Sequence, residues 1–423
     1  MEEGLNRRLQ KLIVTPREVV SQIEPYTARI STRSIEGKEM DQYTVTLQPN
    51  VSGVYPLILA PSDHQAVDIE IRTIDGKVLK KAVKPVKVDR NQSYTCHIKE
   101  AVVDVGISTA EDFIAFTYLI NGKSYGNRTL KEFGTTINGK TTYYLLNDID
   151  FSNVDPKRLK RISPKNDFND TFDGKGKRIT GLKLISELGY DEGLFGRIGN
   201  QGIVKNLTIQ NTSVAFTKKG NSQGTLCGYN HGMICNCHIQ NCTVISPKAQ
   251  VGGLVGKNSG TIVNCSIDGL TFTSNRDDKS PIMFGGISFS NNTSGFLLNC
   301  YVSNLQRGND KKKILDLSAI CNINEGKMSN CLTEKCSTQY HPYCRDTRKD
   351  VDHCYYPLEM EKDVKPTYEE RTRLSIWSYN SISTKKEFVQ KLNDWITNEG
   401  KVNFPHLNFN RWKMDTSGNV SFE

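Results

Sequence analysis

The sequence predicts an all-β protein: a right-handed parallel β-helix with capping helices, preceded by a small antiparallel β-sandwich-like domain. Three observations carry that expectation. A pattern of about thirty residues returns five times between Asp191 and Cys354; every copy holds two short alternating segments broken by Gly, Asn and Ser; and residues 1–105 alternate without any such repeat.

The repeat is read first because a fixed period dictates architecture. One unit is Gly193-Leu194-Phe195-Gly196 followed by Ile203 to Ile209, and the next is Thr225-Leu226-Cys227-Gly228 followed by Met233 to Ile239. Gly253-Leu254-Val255-Gly256 with Thr261 to Ile267 is the third, and looser copies begin at Gly286 and Ser318. Leu194, Leu226, Leu254, Ile287 and Ala319 lie 32, 28, 33 and 32 residues apart. No copy contains a helical period, so each is one coil of a solenoid, and stacking at ~4.8 Å per coil places like residues above like. Length variation then falls into loops around 212–222, 271–283 and 303–313.

The pairing of Gly-Leu-Val-Gly with Ile262-Val263-Asn264-Cys265 resembles the GLUG repeat of exported proteins of the Bacteroides group, also found in the non-catalytic part of some bacterial immunoglobulin-A proteases. The lead-in at 107–116, 144–151 and 171–184 is similar to the opening of such arrays, and the likeness covers most of 106–423. It implies a surface-exposed or secreted protein of adhesin-like kind.

A solenoid exposes raw ends, and two segments are expected to cover them. Ser108 and Glu111 form a capping box ahead of Phe113, Ile114, Phe116 and Ile120, giving an amino-terminal capping helix over 108–121. Thr384 and Glu387 form a second box ahead of Phe388, Leu392, Trp395 and Ile396, opening a carboxyl-terminal capping segment over 384–423.

Residues 1–105 form the other domain. Strands are expected at 43–47, 54–59, 67–72, 77–83, 86–88 and 93–98, with Asp75-Gly76 as a tight hairpin turn. The series is similar to the closing strands of a fimbrillin-type sandwich, although the opening 1–22 reads as helical or irregular. The second domain is then 106–423.

Twelve cysteines are present. Cys237, Cys265, Cys300, Cys331 and Cys354 share one repeat column directly after Asn236, Asn264, Asn299, Asn330 and His353. They read as a buried ladder of small apolar thiols, with the Asn residues forming an amide ladder at a bend. Cys336, His341, Cys344 and His353 come nearest to zinc spacing but lack paired Cys-x-x-Cys elements. A local Cys336–Cys344 disulfide is the competing reading if the protein is exported.

The chain carries 55 Lys plus Arg against 46 Asp plus Glu, a formal charge of +9. Residues 1–105 hold fifteen basic and fourteen acidic side chains, so the excess is spread thinly over the solenoid. Knots at Lys157, Arg158, Lys160 and Arg161, and at Arg307, Lys311, Lys312 and Lys313, read as solvated loop charge. Nucleic acid is excluded as a partner because no coherent basic stripe or reading module is present. No run of about eighteen apolar residues exists, and the first thirty residues lack a signal-peptide core. Either the protein is intracellular or its native leader is missing from this chain; the repeat resemblance favours the cell surface or the extracellular space, with outer-membrane attachment through such a leader.

His-Glu-x-x-His, Gly-x-Ser-x-Gly and the P-loop are missing. Asp167 to Gly174 superficially resembles a calcium loop, but Phe172 stands where the sharp-turn Gly belongs, so it reads as a strand turn. Acidic residues between 191 and 335 share no column on adjacent coils, which argues against acid–base chemistry in a groove. The expectation is therefore a non-enzymatic adhesin-like protein without catalytic residues, cofactor or metal, presenting loops to a glycan or a host or bacterial surface protein. Tyr229, His231, His238, Arg307 and Lys311 are its candidate binding residues. The alternative is a polysaccharide lyase or hydrolase of the β-helix type.

Overall fold

The structure is a computed structural model. It describes residues 105–186, 191–217, 222–247, 250–274, 282–308, 315–337, 340–347, 351–361 and 376–423, together with the strands between 10 and 104. The chain divides into two compact units, one of residues 1–106 with 131–141 and one of 107–130 with 142–423.

The first unit contains a five-stranded antiparallel sheet in the order Val102–Asp104, Lys77–Val83, Ala66–Arg72, Tyr26–Arg33, Glu39–Leu47. A three-stranded sheet places Gln10–Pro16 between Tyr55–Leu59 and Tyr94–Ile98. The expected hairpin pairs Val67 with Val83 and Arg72 with Val78, while its turn lies outside the described residues. Two corrections follow. Within the opening, Gln10–Pro16 is a strand and not a helix, because Ile13-Val14-Thr15 is a β-branched run ended by Pro16; the rest of 1–22 lies outside the described residues. The unit is not wholly antiparallel either, since Gln10–Pro16 runs parallel to Tyr94–Ile98.

The second unit is a parallel β-solenoid of about six turns. A seven-stranded sheet runs through Ile162–Phe168, Phe195–Ile198, Cys227–Asn230, Val255–Asn258, Ser288–Asn291, Cys321–Asn324 and Cys344–Thr347. A long second sheet takes two strands from most coils, for example Thr261–Val263 and Ser266–Ser274, and a four-stranded sheet closes the later coils. Register stacks Val204, Ile234, Ile262, Leu297, Met328 and Val351 in one buried column. Ile209, Ile239, Ile267 and Val302 form the next. Apolar side chains buried in this way stabilise by ~1.5–3 kcal/mol each.

The bend between these columns is set by asparagine. Asn206, Asn236, Asn264, Asn299 and Asn330 all take φ between +52° and +59°, a left-handed conformation that Asn tolerates better than other side chains. Their amides bond along the axis: Asn236 Nδ2 donates to Asn206 Oδ1 at 3.0 Å, Asn299 to Asn264 at 2.7 Å and Asn330 to Asn299 at 2.7 Å. Each following Cys donates its thiol to the carbonyl two residues back, across the bend. The distances are 3.4 Å for Cys237, 3.3 Å for Cys265, 3.4 Å for Cys300 and 3.3 Å for both Cys331 and Cys354. Cys242 and Cys336 do the same after left-handed Asn241 and Lys335. The thiols therefore fill space and add a second donor to carbonyls that already accept an inter-coil amide, as Leu298 O does from Asn264 N at 3.2 Å and Ser329 O from Asn299 N at 3.0 Å. Cys336 and Cys344 are both free, so the disulfide reading is corrected: one follows a bend and the other stacks beneath Cys321 on a different sheet.

The amino-terminal helix spans Ala110–Leu119, with Thr109 as N-cap and Asp112 completing the capping box, one residue later than expected. Phe113 and Phe116 meet Phe151, Phe172 and Tyr143 with ring centroids 4.9–6.3 Å apart, plugging the first coil. The carboxyl-terminal helix, Ile382–Trp395, is capped by Ser381 rather than Thr384. It continues through a π-helical turn, Ile396–Gly400, to Asn403. This segment does not simply close the far end. It lies along the side of the solenoid, burying Phe388, Leu392, Trp395, Leu407 and Trp412 against Val263, Leu298, Tyr301, Leu332 and Tyr355, which point outward from the long sheet. Outward positions on the earlier coils are Asp173, Lys205, Arg178 and Thr208, so only the later coils offer this lid an apolar seat.

Candidate functional site

The outer face of the seven-stranded sheet presents one outward column: Asp167, Arg197, Tyr229, Lys257, Ser290, Ile323 and Asp346. Alternation fixes this order, since the neighbouring residues Ile198, Asn230, Asn258, Asn291 and Asn324 point inward. Those four asparagines form a second amide ladder, with Asn230 to Asn258 and Asn258 to Asn291 at 2.8 Å and Asn291 to Asn324 at 2.7 Å. Each also bonds turn carbonyls such as Gly232 O and Gly260 O. The ladder pins the turns that carry His231, Ser259 and Asn292. It was missed from sequence, although Asn-x-Gly recurs at Asn230, Asn258 and Asn324.

On this face Tyr229 lies against His231, with ring centroids 4.1 Å apart. The Arg197 guanidinium sits 5.6 Å from the Tyr229 ring centre. Its Nε donates to Asp167 at 2.9 Å, its Nη1 lies 3.6 Å from Asp191, and its Nη2 meets His231 Nε2 at 3.3 Å. Burial and the Arg197 charge hold His231 below the ordinary histidine range, so it is neutral at pH 7. At the Tyr229 hydroxyl, Ser259 Oγ lies at 3.0 Å and Asn292 Nδ2 donates at 3.0 Å; Asn292 also donates to Ser259 at 2.8 Å. The result is an aromatic pair flanked by a cation, a hydroxyl and an amide, held on rigid strands.

Of the expected binding residues, only Tyr229 and His231 come together. His238 lies on the long sheet beneath the carboxyl-terminal hairpin, 2.8 Å from Ser266 Oγ and with its ring 6.4 Å from Phe422. Burial holds it down at about 4, so a place in the same groove is corrected. Arg307 ends the strand Tyr301–Arg307 at another bend, and Lys311 lies outside the described residues, as do parts of the three expected loops. Arg161 is also not solvated loop charge. It is buried beside Phe216, and burial lowers it to about 10. Arg158 remains exposed, as expected, and pairs with Glu111 at 2.6 Å.

Among the described residues, no group of three or more His, Cys, Asp or Glu is arranged to hold a metal ion. No described helix is long and apolar enough to cross a membrane. Asp173 is occupied by Lys175 N, Asn206 and Lys205, and heads the outer amide ladder as a turn residue.

The chain is similar to a solved structure from Bacteroides ovatus described as a "putative immunoglobulin A1 protease". They share 19% identity over 67% of this chain and 86% of that one, with a TM-score of 0.45. A likeness at that level carries no argument about activity, and the solenoid stands on its own strand register. No family model and no curated protein matches the sequence.

Proposed function

We infer that the protein is a non-enzymatic binding scaffold whose seven-stranded face engages a glycan or a surface protein. The observation that carries this reading is the Tyr229–His231 pair, flanked by Arg197, Ser259 and Asn292 at fixed spacing on the outer face of that sheet. Aromatic area with a few placed polar groups is the usual make-up of a recognition surface. The mixed charge of the column, with Asp167 and Asp346 alongside Arg197 and Lys257, speaks against nucleic acid. The GLUG-type repeat, the fimbrillin-like first unit and a surface or extracellular location belong to the same reading; the Gly-Leu-Val-Gly and Asn-Cys columns support the first of these. An array of glycans and immobilised surface proteins tests it, with Tyr229→Ala and Arg197→Gln as controls. Loss of the bound class in both variants is expected; retention in both would overturn the assignment of the face.

One observation favours a second reading, a polysaccharide lyase or hydrolase. Asp167 and Asp191 converge on Arg197 beside His231 and Tyr229. Both carboxylates are engaged by the guanidinium, which leaves neither free as an acid or base. Polysaccharide cleavage by the purified protein, abolished by Asp191→Asn, would replace the first reading by this one.

A further inference from the structure

Where the lid meets the last coils, a cleft of about 360 Å³ opens, within the ~300–1,000 Å³ range of small-ligand sites. Its walls include Tyr355, Trp377, Asp394, Trp395, Asn398 and Glu399. We propose that this cleft is a binding site for a neutral pyranose, with the Trp377 ring as its stacking platform and Asn398, Asp394 and Glu399 as partners for its hydroxyls. The cleft lies apart from the Tyr229 face and does not rest on the reading of that face.

Three features of the cleft lead there. Its floor is rigid: Tyr355 stacks on Phe388 at 4.5 Å and Trp395 meets Phe409 edge-on at 5.4 Å. Trp377, one rung beyond Tyr355 in register, is 45% exposed, far more than Tyr355 or Trp395. The rim residues Asn398 and Glu399 come from the π-helical turn Ile396–Gly400, a rare element found frequently at functional sites.

The charges select the ligand class. Asp394 and Glu399 are met on the same rim by Lys391 and His353, with Glu399 3.5 Å from His353 Nε2. Asp352, 3.3 Å from the other ring nitrogen of His353, holds that histidine above its ordinary range. With Lys327 3.6 Å from Asp352, cations and carboxylates alternate along this rim, so no single-sign cluster selects an anion or a cation. An apolar ligand would leave two carboxylates facing hydrocarbon. A pyranose matches both parts, with an apolar C–H face for the indole and equatorial hydroxyls for the carboxylates and amide.

The test is titration of the full chain with methyl α-glucopyranoside, methyl β-galactopyranoside and methyl N-acetylglucosaminide, followed by saturation-transfer NMR and tryptophan emission. Choline and acetate serve as charged competitors. At least one pyranoside is expected to bind with a millimolar Kd. Trp377→Ala should weaken it roughly tenfold and Asn398→Ala severalfold, with Tyr229→Ala leaving it unchanged. Absence of saturation up to about 50 mM for all three sugars, an unaltered Kd in Trp377→Ala, or displacement by choline or acetate would each overturn the proposal. Should Trp377→Ala fail to fold, the exposed-helix variants Asn398→Ala and Glu399→Gln decide it by the same criterion. Loss of sugar binding in Tyr229→Ala alone would assign it to the other face.

Discussion

Lys385 on the lid helix is the sharpest place to test how the lid is held. Its ammonium pairs with Glu334 of the last full coil, with the two side chains 9% and 3% exposed, and also donates to Gly418 O at 2.6 Å. Tyr301 and Tyr379 donate their hydroxyls to the same carboxylate; burial and the Glu334 charge push both phenols well above their ordinary range. Removing one partner of a buried pair costs ~3–5 kcal/mol, because the other charge stays buried. Lys385→Met also leaves the Gly418 carbonyl without its donor, worth ~1 kcal/mol. The two tyrosine hydroxyls still solvate Glu334, which places the net cost at the lower end, about 3 kcal/mol. Because the pair lies between lid and coil, the loss should appear as lid undocking before the coils melt. Urea unfolding followed by tryptophan emission reports it, since Trp395 and Trp412 belong to the lid and are buried against the coils. Adding Glu334→Gln should return part of the loss by removing the orphaned charge. A Lys385→Met variant within about 1 kcal/mol of the parent, with no earlier lid transition, would refute the reasoning.

Other outcomes follow from the ladders and the buried histidine. Asn299→Ala removes an amide bonded to Asn264, Asn330, Asn410 O and Trp412 Nε1, from a residue at φ +53°. It should cost about 3 kcal/mol by urea denaturation, and Asn299→Gly should recover only the ~1 kcal/mol conformational part. Cys265, Cys300 and Cys331 are held far above the ordinary thiol range by burial, and Cys235 is pushed up to about 12. Ellman's reagent at pH 8 should therefore leave these four thiols unreacted until the protein is denatured. His238 is held down at about 4 by burial, against ~6.5 unfolded. As pH falls from 6.5 to 4 the unfolded chain takes up a proton that the folded one refuses, so about 2–3 kcal/mol of stability is lost. His238→Gln should abolish that slope when unfolding free energies are compared at pH 7 and 4.5. His353 has the opposite sign: raised mainly by Asp352, it contributes stability below about 6.5 that disappears as pH rises through its folded value.

What could be read from the sequence was whatever repeats. The column spacing of Leu194, Leu226 and Leu254 gives the coil, and Asn-Cys at four successive coils, followed by His353-Cys354, gives the bend, because stacking turns a one-dimensional period into a spatial column. The thiol-to-carbonyl bonds were hidden because they depend on a left-handed φ that composition does not reveal. The lid's seat was hidden for another reason. Ile262-Val263 and Leu297-Leu298 break the inward–outward alternation, and the second residue of each pair needs a partner from outside the coil; residues 382–412 supply it from more than eighty positions away. At the site, Tyr229 and His231 could be paired by their i, i+2 spacing across a turn. Arg197, Asp167 and Asn292 came only with the register, since each belongs to a different coil. The Trp377 cleft joins a strand to a π-turn, and nothing periodic links them.

The lid also measures the solenoid. Asn410 bonds Asn236 and Asn264, Trp412 bonds Asn299, and Lys385 reaches Glu334, so one segment of fixed length touches four successive coils. A coil inserted or deleted between Asn236 and Glu334 would shift these contacts by a ~4.8 Å step and leave the ruler without its marks. Upstream of Asn206 no such contact constrains the count among the described residues. The lid contacts therefore fix the number of coils beneath the lid and place no such constraint on the coils before Asn206.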